Sequence, residues 1–574
     1  MKPEMRHAIM EKAVKALQAG KYSQAISTIN KINKLKSQQD YKSLELEAYA
    51  LFQQQKIDRA LTHYQNLLAY AENDQQRNAT YKNIGNAQKA LGFTQAAIAS
   101  YQQCFNYDSS IGNANIAASL GECYLDEDRY SELEALAEKM QSWSGYFAPA
   151  QALLISAAKK QNQKQIALAR IEALLEHSTF VEEWQLEFSI DTLMFIREHH
   201  KAAQLLKQAE LDFVNKAWIS YYQAELAARD NKHQQVIELL CNERLERLDF
   251  MRKKAAYKLR AEAYDKQQQF AEAFVDFTAM AKLNHQRAQS LVLKDKVALY
   301  QKLDLSFLKP TEANKETGAQ PVFMMGFNRS GTTLLENILD THEKVTTLSE
   351  TRSLFNVTEA FSLQLKKRYP QDLPSLTEQE LSLLRQEYFS YLDSINIELS
   401  TSNCLIDKFP LYTIDIPLIV SLFPNAKIIF CLRHPADTCL SNFQQNSANN
   451  QEQARLNRLE DCFKRYQQVF TLFKRYQNEL NLNMHFVRYE DLVDNLEQEA
   501  SKVFEFLGLE PSANCLHFDK HAQKKIVLSA SSNQVVKPIY TESRYKWLNY
   551  HQHLAPHIPL INEFIEQFEY QKVG

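Results

Sequence analysis

The chain has 574 residues, and its 66 Lys and Arg against 69 Asp and Glu leave a net charge of only −3. A chain so close to neutral is not a protein that coats nucleic acid, so any binding site for an anion must be local. The 45% hydrophobic and 24% charged residues exclude a disordered or collagen-like chain and indicate a globular protein of roughly two to four domains.

Signals for membrane insertion and export are missing from the sequence. No stretch approaches the roughly 18 apolar residues of a spanning helix, and residues 1–7 lead into no apolar signal-peptide block. We therefore expect a cytoplasmic protein without a membrane span. The eight cysteines include no CxxC pair, which argues against a disulfide framework or a zinc knuckle and favours buried thiols.

The chain before Pro310 contains few residues that break helices. No glycine occurs between Gly145 and Gly318, and Pro149 is the only proline between Pro3 and Pro310. Glycine and proline both destabilise helix interiors, so their scarcity predicts an all-α half.

A motif repeats within this helical half: a turn residue is followed two positions later by a mostly apolar residue and five positions later by a small or apolar one. The motif resembles the tetratricopeptide repeat, whose period is about 34 residues. The match covers roughly residues 8–140 and 250–285, while 141–250 is helical but degenerate. The resemblance predicts a superhelix whose concave face binds a peptide, a protein partner or another protomer, with the small residues serving helix packing. The pairs that carry the match are Gly20 with Ala25, Gln55 with Ala60, Gly92 with Ala97, and Asp128 with Leu133, and a late copy includes Ala261, Phe270, Ala273 and Phe277.

The second half has a different composition. Twelve prolines occur from Pro310 onward, and runs rich in β-branched residues at 426–432 and 484–488 predict strands in a mixed α/β domain. Residues 311–320 are polar and lack an apolar period, which is typical of a joint between domains. We predict a helical array over 1–305, a linker over 306–320 and an α/β domain over 321–574.

A phosphate-binding loop is predicted at the start of this α/β domain. A strand over 322–325 leads into a turn with Gly326 and Gly331, and an amphipathic helix starts at Thr332. Backbone N–H groups and the positive end of a helix converge on an anion in this geometry. The spacing copies the nucleotide-binding pattern GxxxxGK[ST], but Thr332 replaces the lysine, which disfavours an ATPase or a kinase. Arg329 supplies the cation instead.

The sequence Arg-Ser-Gly-Thr-Thr at 329–333 resembles the sulfotransferases that use 3′-phosphoadenosine 5′-phosphosulfate (PAPS). The resemblance implies a central parallel sheet flanked by helices, with this loop binding the 5′-phosphosulfate. A second family motif, an Arg at a strand end with a Ser eight residues later, implies that Arg433 and Ser441 bind the 3′-phosphate. The loop residues implied to bind the donor are Arg329, Ser330, Gly331, Thr332 and Thr333.

The segment Glu350-Thr-Arg352 narrows the resemblance to the tyrosylprotein sulfotransferases. It implies that Glu350 is the general base and that Arg352 helps to bind an acidic acceptor. Lys408 matches the family lysine that contacts the bridging oxygen of the leaving group, and Arg329 is implied to stabilise the sulfuryl oxygens. The chain departs from the family at Phe409, where the eukaryotic enzymes have Asp, and this departure leaves the acceptor open. The resemblance spans roughly 320–550 and further implies donor contacts from Tyr489, Ser531 and Lys546.

Rival interpretations remain for several residues and for the function. His342 and His434 are alternative bases that we interpret as structural, and Asp407 could mimic a metal-binding acid, although no metal is expected.

We predict sulfuryl transfer from PAPS to an acceptor hydroxyl, with a protein tyrosine favoured. The alternatives are the same chemistry on a glycan, lipid or small alcohol, a non-catalytic scaffold with a degenerate nucleotide site, and a Mg²⁺-dependent nucleotide kinase. We expect a protein partner on the repeats and no nucleic acid, and a homo-oligomer stays open.

Overall fold

The computed structural model describes residues 3–34, 39–104, 111–177, 181–288, 295–308, 320–397, 404–445, 452–523 and 542–571. The chain forms two compact units, of which the first ends at Ser189 and the second begins at Ile190. None of the described helices is both long and apolar enough to cross a membrane.

The first unit consists of helices that pack in pairs across short turns. Consecutive helices of each pair contact one another along their lengths, as expected for neighbours joined by two- to five-residue connections. The helices are α1 (Pro3–Gln18), α2 (Tyr22–Asn33), α3 (Tyr41–Gln53), α4 (Ile57–Leu67), α5 (Asp74–Ala90), α6 (Thr94–Cys104), α7 (Ile111–Asp126), α8 (Tyr130–Gln141), α9 (Phe147–Lys160) and α10 (Lys164–Glu176), followed by α11 (Glu183–Phe195) at the boundary of the units.

The second unit begins with further helices of the same kind. Three short turns join their pairs, and a short helix precedes the segment 309–319, which lies outside the described residues. The predicted linker therefore falls largely outside the described part of the chain. The helices are α12 (His199–Asp212), α13 (Ala217–Arg229), α14 (His233–Leu239), α15 (Asn242–Arg247), α16 (Phe250–Lys266), α17 (Phe270–Ala288) and α18 (Lys296–Gln301).

One turn geometry recurs through both sets of helices. The turn residue has a positive φ of 58° to 81°, and the next N–H donates to the carbonyl five residues earlier, as from Lys21 to Ala16 and from Lys232 to Ala227, both at 2.9 Å. A left-handed residue followed by a backbone hydrogen bond that spans five residues is a common way to end a helix. The turn residues are Gly20, Gln55, Gly92, Asp128 and Asn162 in the first unit and Arg197, Asn231 and Gln268 in the second.

A small or apolar residue is buried five positions after every one of these turns. Each is at most 2% exposed, so the following helix packs closely at this point. The helical repeat predicted from the sequence is confirmed, and it continues through 141–250, where the sequence match is weak. The buried residues are Ala25, Ala60, Ala97, Leu133, Ala167, Ala202, Val236 and Ala273.

The second unit also contains a five-stranded sheet in which every strand is parallel to its neighbours, with the order β2-β3-β1-β4-β5. The central strands are buried along their length, which explains their continuous apolar sequences. The predicted α/β fold with a central parallel sheet is thus confirmed. The strands are β1 (Val322–Met325), β2 (Val345–Ser349), β3 (Cys404–Lys408), β4 (Ile428–Leu432) and β5 (Met484–Arg488).

Helices connect these strands and pack on the sheet. The connection after β1 leads to β2 on one side, and the connection after β4 leads to β5 on the other. Ligands of open parallel sheets bind in the crevice where such connections diverge, beyond the carboxyl ends of the strands. The helices are α19 (Thr332–Leu339), α20 (Ser353–Leu363), α21 (Glu378–Ser394), α22 (Ile416–Leu422), α23 (Pro435–Phe443), α24 (Leu459–Glu479), α25 (Tyr489–Asp494), α26 (Leu496–Leu507), α27 (Phe518–Gln523), α28 (His551–Leu554) and α29 (Asn562–Gln567).

The core of the second unit includes its last repeat hairpin, α16–α17. Ala273, Phe277 and Met280 are buried in one apolar cluster with residues that flank the sheet. The ring of Phe274 on α17 lies 5.5 Å from that of Phe443 and stacks 3.7 Å from that of His553. These contacts cross the predicted division at 305–321, which stays a prediction.

Candidate active site

The loop between β1 and α19 requires both of its glycines. A Cβ on Gly326 would lie 2.4 Å from the carbonyl oxygen of Cys431, so the loop can cross β4 only without a side chain there. Gly331 has φ +98°, and a Cβ on it would lie 2.9 Å from the ring of Tyr489. The predicted strand, tight turn and helix start are all present.

Surrounding side chains bind the carbonyl groups of this loop. Thr413 Oγ1 donates to Gly326 O at 2.6 Å, and Asn442 Nδ2 donates to Asn328 O at 2.8 Å. These hydrogen bonds hold the two loop carbonyl groups toward the protein and away from the space in front of α19. The first N–H groups of an α-helix have no partner within the helix, so the N–H groups at the start of α19 remain suited to an anion.

Polar side chains line the same turn. Thr332 and Thr333 are buried at the start of α19, and Ser330 is only 3% exposed. Ser330 Oγ makes no hydrogen bond within the described part of the chain. A buried hydroxyl without a partner is costly unless a ligand satisfies it, so the loop fits an oxyanion such as a phosphate or a phosphosulfate.

The structure brings the two predicted anion sites together. Arg329 Nε donates to Ser441 Oγ at 3.1 Å, and Arg433 Nη1 donates to Arg329 O at 3.3 Å. The guanidinium of Arg433 also lies over the ring of Tyr489, 4.9 Å from its centroid. Arg329 follows β1 and Arg433 follows β4, its neighbour in the sheet, although about a hundred residues separate the two arginines in the sequence. Within the described part of the chain, Arg433 Nε is buried without a hydrogen bond.

A lysine enclosed by two carboxylates lies at the carboxyl end of β3. Lys408 is 0% exposed, and its Nζ is 2.9 Å from Glu350 Oε1 and 3.1 Å from Glu336 Oε2. Glu350 follows β2 with φ +54°, and its backbone N–H donates to Lys408 O at 2.9 Å. The Glu350 side chain is 41% exposed, whereas that of Glu336 is 5% exposed. Only one of the two carboxylates therefore faces solvent.

The protonation of this cluster follows from burial and charge. Burial lowers the pKa of Lys408, but the attraction of Glu336 and Glu350 outweighs it and leaves the pKa above its usual value. Burial raises the pKa of Glu336, and Lys408 opposes this only in part. Lys408 thus keeps its positive charge next to an accessible carboxylate, an arrangement that suits general base catalysis beside a developing anion.

Glu336 was not predicted from the sequence. It is the fifth residue of α19, whose remaining residues are nearly all buried, and Ser349 Oγ donates to it at 3.2 Å. A glutamate among the apolar residues of a short helix is a signal that could have identified it, because buried carboxylates need a charged or hydrogen-bonded partner.

The remaining predicted site residues lie at different places. Arg352 precedes α20, two residues after Glu350, and its Nη2 is 3.8 Å from Glu359 Oε2. Lys546 Nζ is 2.8 Å from Asp265 Oδ2 on α16. Ser531 lies outside the described residues.

The rival residues have structural partners. Asp407 is fully buried on β3, where burial raises its pKa to about 6, and Ser353 and Tyr388 donate hydroxyl hydrogen bonds to it at 2.6 and 2.9 Å. His434 Nδ1 accepts from Ala436 N at 3.2 Å and its ring stacks on Trp547. His342 Nδ1 accepts from Lys344 N at 3.1 Å. Each of these three side chains is therefore hydrogen-bonded within the protein, and the interpretation of the two histidines as structural stays a prediction.

Residues 321–513 match the model of the sulfotransferase family, which confirms the resemblance found in the C-terminal half. The chain is 30% identical over 261 residues to an uncharacterized protein of Aquifex aeolicus, covering 44% of this chain and 33% of that one. It is 27% identical over 239 residues to protein-tyrosine sulfotransferase 2 of Gallus gallus, covering 40% and 63%. The chain thus spans less than two thirds of the length of these relatives.

A solved structure of a tetratricopeptide repeat protein from Parabacteroides merdae has 13% identity and a TM-score of 0.36, and the match covers 45% of this chain and 99% of that one. The helical repeat of this chain is defined instead by its own turns and buried residues.

Proposed function

We propose, from the match of residues 321–513 to the sulfotransferase family, that this protein transfers a sulfuryl group from PAPS to an acceptor hydroxyl, with a protein tyrosine as the favoured acceptor. The observation that carries the proposal is the contact of Lys408 with Glu350, 2.9 Å apart at the carboxyl edge of the sheet. A strand pairing between Met324 and Lys408 places this pair beside the phosphate loop.

The residues around the loop suit the proposed donor. Thr332, Thr333 and the N–H groups of α19 would bind the 5′-phosphate, because they present buried donors at a helix start. Arg433 and Ser441 would bind the 3′-phosphate, and the ring of Tyr489 supports Arg433. Bidentate guanidinium donors are well matched to phosphate oxygens. Ser531 and Lys546 remain predicted donor contacts.

The proposed roles in the reaction follow from charge and exposure. Glu350 accepts the proton of the acceptor hydroxyl, since its carboxylate lies beside Lys408 and is open to solvent. Lys408 stabilises the charge that develops on the bridging oxygen of the leaving group, and Arg329 stabilises the sulfuryl oxygens. Fixed cations of this kind supply the electrostatic stabilisation for which phosphoryl-transfer enzymes use Mg²⁺.

A peptide acceptor is supported by two features. Arg352 lies next to the proposed base, where it can attract an acidic sequence, and one relative is named a protein-tyrosine sulfotransferase. The helical repeat provides a surface for that peptide or for a protein partner. A glycan, lipid or small alcohol is the alternative acceptor, and the cytoplasmic location expected from the sequence is part of the proposal.

The substitution Glu350→Gln tests the proposed base. We expect binding of PAP, the desulfated donor, to stay unchanged while sulfate transfer to a tyrosine peptide falls about 10²-fold or more, because the amide cannot accept the proton. Calorimetry and a labelled-sulfate assay measure the two quantities. The exposed Glu343→Gln is the matched control and should behave as wild type. Wild-type turnover in the Glu350 variant would exclude it as the base.

Calorimetry also separates the alternative classes. A sulfotransferase should bind PAP without Mg²⁺ and more tightly than ATP, whereas a nucleotide kinase should bind ATP in a Mg²⁺-dependent manner. A scaffold with a degenerate site should bind neither PAP nor ATP productively, and it should transfer no sulfate to any acceptor.

A further inference from the structure

A short segment, residues 542–550, contacts the last repeat hairpin through charged side chains. Asp265 on α16 accepts hydrogen bonds from two residues of this segment, from Lys546 Nζ at 2.8 Å and from the hydroxyl of Tyr550. The next residue of α16, Lys266, is 2.9 Å from Glu542 Oε2. The Asp265 side chain is only 11% exposed, so water screens its charge less than that of a surface carboxylate.

The same segment also contacts the candidate donor site. Arg433 Nη2 donates to Ser543 O at 2.6 Å, and the N–H of Trp547 donates to Asp437 Oδ1 at 2.8 Å. Asp437 belongs to α23, the helix that carries Ser441. The segment therefore contacts α16 through its side chains and the arginine through its backbone.

We propose that Asp265 is a positioning residue for the donor site. It fixes the segment 542–550 so that the Ser543 carbonyl holds one end of the Arg433 guanidinium while Arg329 O holds another. This inference rests on the proposed function, because it takes Arg433 as a ligand of the donor phosphate. It makes the last repeat hairpin a part of the donor site and not merely a surface for partners.

The contacts of Asp265 explain why we assign the positioning of the segment to it and not to the adjacent Lys266. A carboxylate that accepts from both a lysine and a tyrosine hydroxyl restrains two points of the segment at once. The Lys266–Glu542 pair is more exposed, at 56% and 73%, and exposed ion pairs restrain little. Phe270 adds an edge contact to the ring of Tyr550 at 5.5 Å, so Tyr550 stays packed when the charge is removed.

The test compares Asp265→Asn with Glu262→Gln in the full chain. Glu262 lies on the same helix, is exposed and contacts Lys258 instead of the segment. We expect Asp265→Asn to weaken PAP binding and raise the KM for PAPS roughly three- to tenfold, with kcat and the KM for the acceptor unchanged. Asp265→Glu should restore much of the affinity, and Glu262→Gln should match wild type.

A double-variant comparison identifies the route of the effect. If Asp265 acts through Arg433, then Asp265→Asn should weaken PAP binding no further in an Arg433→Ala background. Full additivity of the two substitutions would overturn the inference, as would wild-type or tighter PAP binding by Asp265→Asn. If Arg433→Ala itself leaves PAP affinity unchanged, the assignment of the donor site fails, which is a different result. Melting temperatures check that every variant is folded.

Discussion

At the scale of single residues, the enclosed lysine is central to the proposed role of Glu350 as the base. A lysine without exposed surface normally loses its proton readily, because burial disfavours the charged form. Lys408 is instead balanced by Glu336 and Glu350. In the proposed reaction Glu350 takes a proton and loses its charge, and Glu336 then still balances the ammonium of Lys408.

This role of Glu336 predicts a shift in the pH dependence of activity. Glu336→Gln keeps the shape of the side chain but removes one of the two carboxylates that raise the pKa of Lys408. Burial is then opposed by Glu350 alone, so the pKa falls and the lysine loses its charge at lower pH. We expect the fall of kcat at alkaline pH to begin at a lower pH in Glu336→Gln than in wild type. Glu343→Gln, at an exposed position, should keep the wild-type profile, and the same profile in Glu336→Gln would contradict this role.

The sequence allowed most residues of the site to be predicted, because their motifs are local. Arg329 and Arg433 follow strands predicted from the sequence, whereas Glu350 and Lys408 were identified through family motifs. All four come after or at the end of parallel strands, whose carboxyl ends meet at one edge of a sheet. Asp265 could not be found in this way. It contacts Lys546 across about 280 residues, and such a pairing depends on how α16 packs, which no local pattern encodes.

At the scale of secondary-structure elements, the repeat is defined by its turns. The sequence match was strong at the turns of Gly20, Gln55, Gly92 and Asp128 and weak at those of Asn162, Arg197 and Asn231, although all seven residues have a positive φ. The residues other than glycine adopt a positive φ at some cost, so the turn is kept although its usual residue is not. The buried residue five positions later is a more constant signal than the turn residue itself.

The cost of a side chain in these turns can be measured at Gln55. This exposed residue has φ +60°, and glycine adopts that conformation without a steric penalty. We expect Gln55→Gly to raise the free energy of unfolding by about 0.5–1 kcal/mol. The adjacent Lys56→Gly is the control, because its φ of −89° brings no relief and glycine there should only destabilise. Urea unfolding measures both, and equal effects of the two changes would contradict the explanation.

The start of α23 predicts a sensitivity to acid. His434 is buried, and burial together with Arg433 and Arg488 lowers its pKa to about 4. The unfolded chain has the usual value near 6.5, so it binds more protons than the folded protein between these values. Stability contributed by neutral His434 is complete above pH 6.5 and is lost as the pH falls towards 4, by about 3 kcal/mol.

Replacement of this histidine should reduce that loss. An asparagine is a good helix cap without a titrating group, so His434→Asn should lose less stability between pH 7 and 4.5 than wild type. Urea unfolding at the two pH values gives the difference, whatever the absolute stability of the variant. His200→Asn, at an exposed position, should retain the wild-type pH dependence, and the prediction fails if both variants do.

At the scale of the whole molecule, the core of the second unit begins well before the sheet. Ala273, Phe277 and Met280 are buried in the cluster that flanks the strands. Composition changes near Pro310, so the sequence suggested a boundary there, whereas packing joins α16–α17 to the α/β domain. A change of secondary-structure class along a chain need not coincide with a change of core.

Two shortened chains test this arrangement. A chain that begins at residue 181 keeps α11 and the whole second unit, and we expect it to fold and to bind PAP. A chain that begins at residue 306 lacks α16–α17, and each buried apolar side chain that it loses costs about 1.5–3 kcal/mol. We expect this chain to aggregate or to melt at much lower temperature, as gel filtration and circular dichroism would show. Normal PAP affinity of the shorter chain would instead support the boundary at 305–321.

The distance along the chain between α17 and its partners also matters during synthesis. Phe274 is translated 169 residues before Phe443 and 279 residues before His553, the two rings against which it packs. At about 5–20 residues per second, the ribosome needs on the order of ten to sixty seconds to supply them. Earlier hairpins close within this interval, because their contacts are local. The part of α17 that packs on these rings therefore stays uncovered on the nascent chain until they have been synthesised.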